Sequence, residues 1–171
     1  MVYLGLGANL GDRLENIKKA LTLLNNKPGI TLIRTSSLYL TEPIGVSRQP
    51  DFYNGVAEIK TTLSPQSLLK VVKAIEYDMG RQPDSHFQPR PIDIDILMYG
   101  DLEIDSLDLR VPHSRLDKRA FVLIPLLELN PDLLHPISFK PLKEYLAKID
   151  DSQKVERVID AGDITEQSEE G

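Results

Sequence analysis

Asp93 and Asp95 stand two positions apart in the segment PRPIDIDIL (89–97), interleaved with Ile92, Ile94 and Ile96. In an extended strand alternate side chains share a face, so the two carboxylates lie on one side with Cα atoms roughly 6.6 Å apart. The isoleucines take the other side. Two anions on a partly enclosed face repel and are costly to desolvate unless something positive sits between them. Magnesium answers that need, because it prefers oxygen donors and binds one or two carboxylates together with phosphate oxygens and water. A solvent-exposed strand face with two ordinary charges has the same spacing, and this pair alone does not separate the two.

The neighbouring cations point toward phosphate. Arg81 and Arg90 bracket a polar loop with several prolines, and their guanidinium groups suit bidentate contacts to a polyphosphate. A solvated basic loop paired with nearby acids is the plainer reading. His113, in the tripeptide VPH, adds a donor whose distance along the chain allows a return to the aspartates, although a lone histidine is more often structural. Pro43, Ile44, Phe52 and Asn54 fall in LTEPIG and QPDFYNG. There an apolar slot beside an amide would accept a flat heterocycle, or the residues are simply a loop and a strand end. The segment GLGANLG is not a dinucleotide fingerprint: Gly5, Gly7 and Gly11 are spaced one residue too long, and no crossover helix follows the next strand. It reads as a tight strand-to-helix turn.

Hydrophobic periodicity supplies the elements that must position these groups. Residues 2–6 predict a strand, and Asp12 with Glu15 has capping-box spacing ahead of Leu14, Ile17, Leu21 and Leu24. Residues 30–39 and 52–62 read as further strands. Ser64-Pro65 opens a second helix through Leu68, Val72, Ile75 and Met79, with Gly80 as its stop. Residues 92–99 form the fourth strand, and 121–129 and 142–149 read as short added helices. The order βαββαβ predicts an α+β fold of the ferredoxin-like type, an antiparallel sheet with helices packed on it and additional C-terminal helices.

At 171 residues the chain suits one domain, taken as residues 1–160, followed by an acidic tail at 161–171 expected to be disordered. With no cysteine there are no disulfides and no thiolate metal sites, as befits a reducing cytoplasm. A formal charge of −6 argues against nucleic acid as a partner, and no apolar run approaches the roughly 20 residues that span a bilayer.

Taken together, LGLGANLGD, LTEPIG, QPDFYNG, IEYDMGR, PRPIDIDIL and VPHSRLDKRAFVLIPLLEL resemble the 6-hydroxymethyl-7,8-dihydropterin pyrophosphokinase family over about residues 3–131. The resemblance implies transfer of pyrophosphate from ATP to the pterin hydroxymethyl group in tetrahydrofolate biosynthesis, releasing AMP. On matching positions it implies two Mg2+ ions at Asp93 and Asp95, with Arg81 and Arg90 in a catalytic loop. Glu76, Ile96, His113 and Arg119 would lie on the ATP side. Thr41, Pro43, Ile44 and Asn54 would meet the pterin, with Phe52 and Phe121 on its two faces. A cytoplasmic monomer is expected. A sugar-nucleotide transferase, which also uses D-x-D, would require a larger nucleotide-binding domain, and a regulatory module of the same fold would have no use for the aspartate pair.

Overall fold

The computed structural model describes residues 1–42, 50–80, 91–150 and 153–165. The chain enters as β1 (Val2–Ala8), buried on both sides: Val2, Leu4, Leu6 and Ala8 face one core and Tyr3 the other. In α1 (Arg13–Asn25) the Asp12 side chain accepts the Glu15 amide at 3.2 Å, as the capping spacing predicts. Ile17, Ala20, Leu21 and Leu24 turn inward.

The single strand expected over residues 30–39 is two strands, β2 (Ile30–Thr35) and β3 (Leu38–Thr41), which pair with different stretches of β4 (Phe52–Thr61). Ser36 explains the break. Its amide donates to the Val56 carbonyl while its hydroxyl accepts the Val56 amide, both at 2.8 Å, so a side chain replaces one rung of the ladder. The Ser37 amide then turns to the carboxylate of Glu128 instead of a strand partner.

Ser64 caps α2 (Pro65–Asp78), with Pro65 at the first helical position and Leu68, Val72 and Ile75 buried. After it come β5 (Asp93–Tyr99) and a two-stranded ribbon of β6 (Ile104–Asp105) and β7 (Arg110–Val111). Then follow α3 (Ala120–Leu129), α4 (Leu142–Ala147), β8 (Val155–Ile159) and α5 (Ala161–Thr165).

The main sheet runs β5-β1-β4-β3-β8, with β2 also on β4, and its pairings are antiparallel. With β2 and β3 counted as one interrupted strand, the first four strands and two helices are the expected βαββαβ unit. One face of the sheet packs on α1 and α2 through Leu4, Leu6, Ile59, Ile94 and Ile96. The other packs on α3 and α4 through Tyr3, Val56, Leu97, Leu123 and Leu126.

The ribbon β6–β7 and the edge strand β8 lie outside the elements that periodicity predicts. Residues 161–165, expected to begin a disordered tail, instead form α5. Ile164 is 3 % exposed in the core under α1, and the Ala161 amide donates to the Ser37 hydroxyl at 3.2 Å. Burial of one isoleucine offsets part of the ordering entropy that so acidic a segment otherwise leaves unmet. Residues 166–171 lie outside the described residues. No helix among the described residues is long and apolar enough to cross a membrane.

Candidate active site

The alternation expected of β5 holds. Ile94 and Ile96 are 1 % and 4 % exposed in the core beneath the first two helices, while Asp93 and Asp95 are half-buried on the opposite face. What stands beside them is glycine: β1 sets Gly7 against Asp93 and Gly5 against Asp95. On its other side β1 sets Gly7 against Asn54 and Gly5 against Val56. Cross-strand partners share a face, so the strip between the aspartates and β4 carries no β1 side chain. A methyl group placed on Gly7 would come within 2.7 Å of Asn54 Oδ1. The register continues from Asn54 to Tyr39 and from Tyr39 to Arg157. One transverse row, Asp93–Gly7–Asn54–Tyr39–Arg157, therefore crosses five strands, with Asp93 and Asn54 about 10 Å apart at two strand spacings.

Glu76 reaches β5 from α2. Its side chain is nearly inaccessible, its Oε2 accepts the Ile94 amide at 2.9 Å, and its Oε1 lies 3.2 Å from Lys73 Nζ. The residue between the two aspartates is thus held by a carboxylate. Ile96 shares the row of Ile94, so its side chain does not join the aspartate face. What it can offer a ligand is main chain, since alternate amides of a terminal strand point away from the sheet.

His113 and Arg119 do return to the aspartates. The His113 amide donates to the Leu97 carbonyl at 2.9 Å, pinning the VPH segment to β5. Its Nδ1 accepts the Arg115 amide at 3.2 Å, which leaves the proton of the neutral ring on Nε2. Burial pushes the imidazole pKa below its ordinary value, and the charge of Arg119 adds to this, while Asp93 opposes it. Arg119 precedes α3 as its N-cap, and its guanidinium lies 5.4 Å from the centre of the Phe121 ring. Burial and the charge of Arg115 lower its pKa, and Asp95 and Asp93 counteract them. The VPH segment and the start of α3 therefore bring a hydrogen-bond donor and a cation to the carboxylates.

On the far side of Gly7, Asn54 donates its amide hydrogen to Thr41 Oγ1, and Thr41 is 5 % exposed. Thr41 thus orients the amide. Phe52 is paired with Thr41 at the start of β4 and is half-buried, and Phe121 is half-buried in the first turn of α3. Pro43, Ile44, Arg81 and Arg90 lie outside the described residues. Among the described residues, no group of three or more His, Cys, Asp or Glu side chains is placed to hold a metal. The two aspartates, with cleared space across from them, suit a hard cation that completes its shell with water and phosphate oxygens.

The glycine strip escaped the sequence reading, although Gly5 and Gly7 have the same two-residue spacing as the aspartates they face. So did Glu128, whose carboxylate accepts from the Ser37 amide, the Ser37 hydroxyl and the Tyr39 hydroxyl and pairs with Arg157 at 3.2 Å.

Residues 3–131 match the family model described as 7,8-dihydro-6-hydroxymethylpterin-pyrophosphokinase (HPPK). The chain is 44% identical over 144 residues to the 2-amino-4-hydroxy-6-hydroxymethyldihydropteridine pyrophosphokinase of Aquifex aeolicus, covering 84% of this chain and 89% of that one. It is also 44% identical over 135 residues to the Pseudomonas aeruginosa protein of the same name, covering 79% and 83% of the two chains. It is 45% identical over 149 residues to the folic acid synthesis protein fol1 of Schizosaccharomyces pombe, where it covers 87% of this chain and spans only 20% of the relative. Among solved structures, the wild-type Plasmodium falciparum HPPK-DHPS with pteroate superposes with a TM-score of 0.69 at 20% identity. That match covers 86% of this chain and 42% of that one, and it speaks to the fold. The aspartate strand, the histidine hairpin and the asparagine strand all fall inside the matched residues, and the chain belongs to the 7,8-dihydro-6-hydroxymethylpterin-pyrophosphokinase family.

Proposed function

We propose that this chain transfers the β,γ-pyrophosphoryl group of ATP to the hydroxymethyl oxygen of 6-hydroxymethyl-7,8-dihydropterin, with Asp93 and Asp95 holding two magnesium ions. The bond between the α,β-bridging oxygen and the β-phosphorus breaks, the pterin oxygen bonds to the β-phosphorus and gives up its hydroxyl proton to solvent, and AMP leaves with the bridging oxygen. Bound magnesium neutralises phosphate charge and lowers the barrier to in-line displacement. The protein's own part is positioning and electrostatics, which dominate phosphoryl transfer.

One observation supports the reading: the row Asp93–Gly7–Asn54 sets a carboxylate and an amide on one strip of sheet cleared of β1 side chains. Asn54, oriented by Thr41, recognises the pterin edge, and Phe52 and Phe121 stack on its faces. Arg119 and the Nε2 proton of His113 bind phosphate oxygens beside the aspartates. Glu76 serves the nucleotide side by holding β5, and Ile96 contributes main chain to the adenine. Arg81 and Arg90, with Pro43 and Ile44, complete the phosphate and pterin contacts.

The test is incubation with ATP, magnesium and the hydroxymethyl pterin, following nucleotide products. AMP and pterin diphosphate in equal amounts are expected, with turnover abolished by a chelator and restored by magnesium. Formation of ADP, or no AMP, overturns the reaction; undiminished turnover in chelator overturns the metal.

A further inference from the structure

The strand-to-helix turn GLGANLGDR is only partly explained by the glycines that clear space between Asp93 and Asn54. Two of its other residues reach across to the entry of β4. Asn9 is 1 % exposed, and its Nδ2 donates to the Pro50 carbonyl at 3.2 Å. Arg13, at the start of α1, donates to the Asp51 carbonyl at 2.8 Å and lays its guanidinium carbon 4.0 Å from the centre of the Tyr53 ring. Main chain or ring is therefore gripped at 50, 51 and 53, on both sides of Phe52.

The pleat gives this grip its consequence. Tyr53 packs with the core on the α1–α2 side of the sheet, so Phe52 and Asn54 must face the other side, toward the aspartates. Holding Tyr53 from α1 resists the slip of one residue that would turn Phe52 and Asn54 away from the pocket. The cation stacked on the ring and the charge-assisted bond to a carbonyl act on the same short stretch.

We infer that Asn9 and Arg13 are positioning residues for the acceptor pocket, acting through Pro50, Asp51 and Tyr53 to fix how Phe52 and Asn54 present themselves to the pterin. This rests on the assignment of Phe52 and Asn54 to the pterin. A turn that merely stabilised the fold would affect both substrates or neither. A positioning role affects the pterin alone, because the aspartates and His113 are held by β5 and Arg119 by the start of α3.

The experiment compares Arg13→Met, Arg13→Lys, Asn9→Ala and Asn54→Ala in the full chain. Affinity for α,β-methylene-ATP with magnesium and affinity for the hydroxymethyl pterin in the presence of that complex are measured separately by calorimetry. Arg13→Met and Asn9→Ala are expected to weaken pterin binding about tenfold, the loss of one such hydrogen bond, with nucleotide affinity unchanged. Arg13→Lys, which keeps a cation for the carbonyl and the ring, recovers part of the loss. If Arg13→Met does not fold, the lysine variant carries the test and must weaken the pterin selectively. Equal weakening of both ligands overturns the inference. So does unchanged pterin affinity in the Asn9 and Arg13 variants while Asn54→Ala weakens it. If Asn54→Ala leaves pterin affinity intact, the pterin assignment fails first and takes the inference with it.

Discussion

Glu76 on α2 holds the amide of Ile94, the residue between Asp93 and Asp95, at 2.9 Å with a carboxylate that water scarcely reaches. The helix thus sets the strand at the point where both candidate metal ligands leave it. Glu76→Ala removes an acceptor from a buried amide and is expected to cost about 1–3 kcal/mol of stability. Glu76→Gln keeps an acceptor and should cost less. Chemical denaturation measures both, and hydrogen exchange at Ile94 should accelerate in the alanine variant well beyond exchange in β4. Equal protection in the two proteins would remove the clamp.

Asp95→Asn preserves shape and removes a charge from a half-buried face, so the fold should survive while turnover falls at least about a hundredfold. Steady-state rates across a magnesium titration check this. Recovery of full rate at high magnesium would mean weakened binding only, and an unchanged rate throughout would exclude Asp95 as a ligand.

Gly7→Ala should damage pterin use more than Gly5→Ala does. The added methyl at Gly7 meets Asn54 Oδ1 at 2.7 Å and must displace the amide, whereas at Gly5 it meets Leu97 Cδ2 at 3.3 Å, a contact that asks Leu97 to yield only slightly. The expected readout is a KM for the pterin raised about tenfold or more at Gly7, the order of one lost hydrogen bond. Similar KM values for the two variants would contradict the cleared strip.

Tyr39 ionises late. Burial, then the hydrogen bond to Glu128 and its charge, push the phenol from 10.0 up to about 12, with Arg157 opposing. Folding favours the protonated phenol, so this contribution to stability is fully present below pH 10 and is lost as pH rises through about 12. Spectrophotometric titration of the protein against Tyr39→Phe isolates the group. Glu128→Gln should move its midpoint toward 10, and no movement would show that burial acts alone.

The elements that the sequence predicts best are those whose signals are local. Asp12, Ser64 and Pro65 sit where their caps require, and the isoleucines of β5 alternate with the aspartates as a two-residue period demands. The break at Ser36 is hidden because it depends on Val56, twenty residues away, offering both main-chain groups to one serine. β8 is hidden for a different reason: Glu156, Arg157 and Val158 are all exposed, so no burial alternates along it. In the site, the carboxylate pair could be read from spacing, but the glycines opposite it depend on register between strands about ninety residues apart, which no local pattern encodes. Glu128 likewise closes an apolar helix and finds its hydrogen-bond donors, Ser37 and Tyr39, 89 to 91 residues earlier.

β8 lies beyond residue 131, where the family match ends, yet it covers β3, the strand that carries Tyr39 and Thr41. During synthesis β3 emerges well before β8 and keeps an open edge until β8 follows it off the ribosome. Ser37 waits for Ala161 across 124 residues. A nascent chain with its strand row uncapped is a template for pairing with another copy. β8 thus acts as a late seal on the growing polypeptide, and its emergence marks the moment when β3 no longer offers that edge to its neighbours.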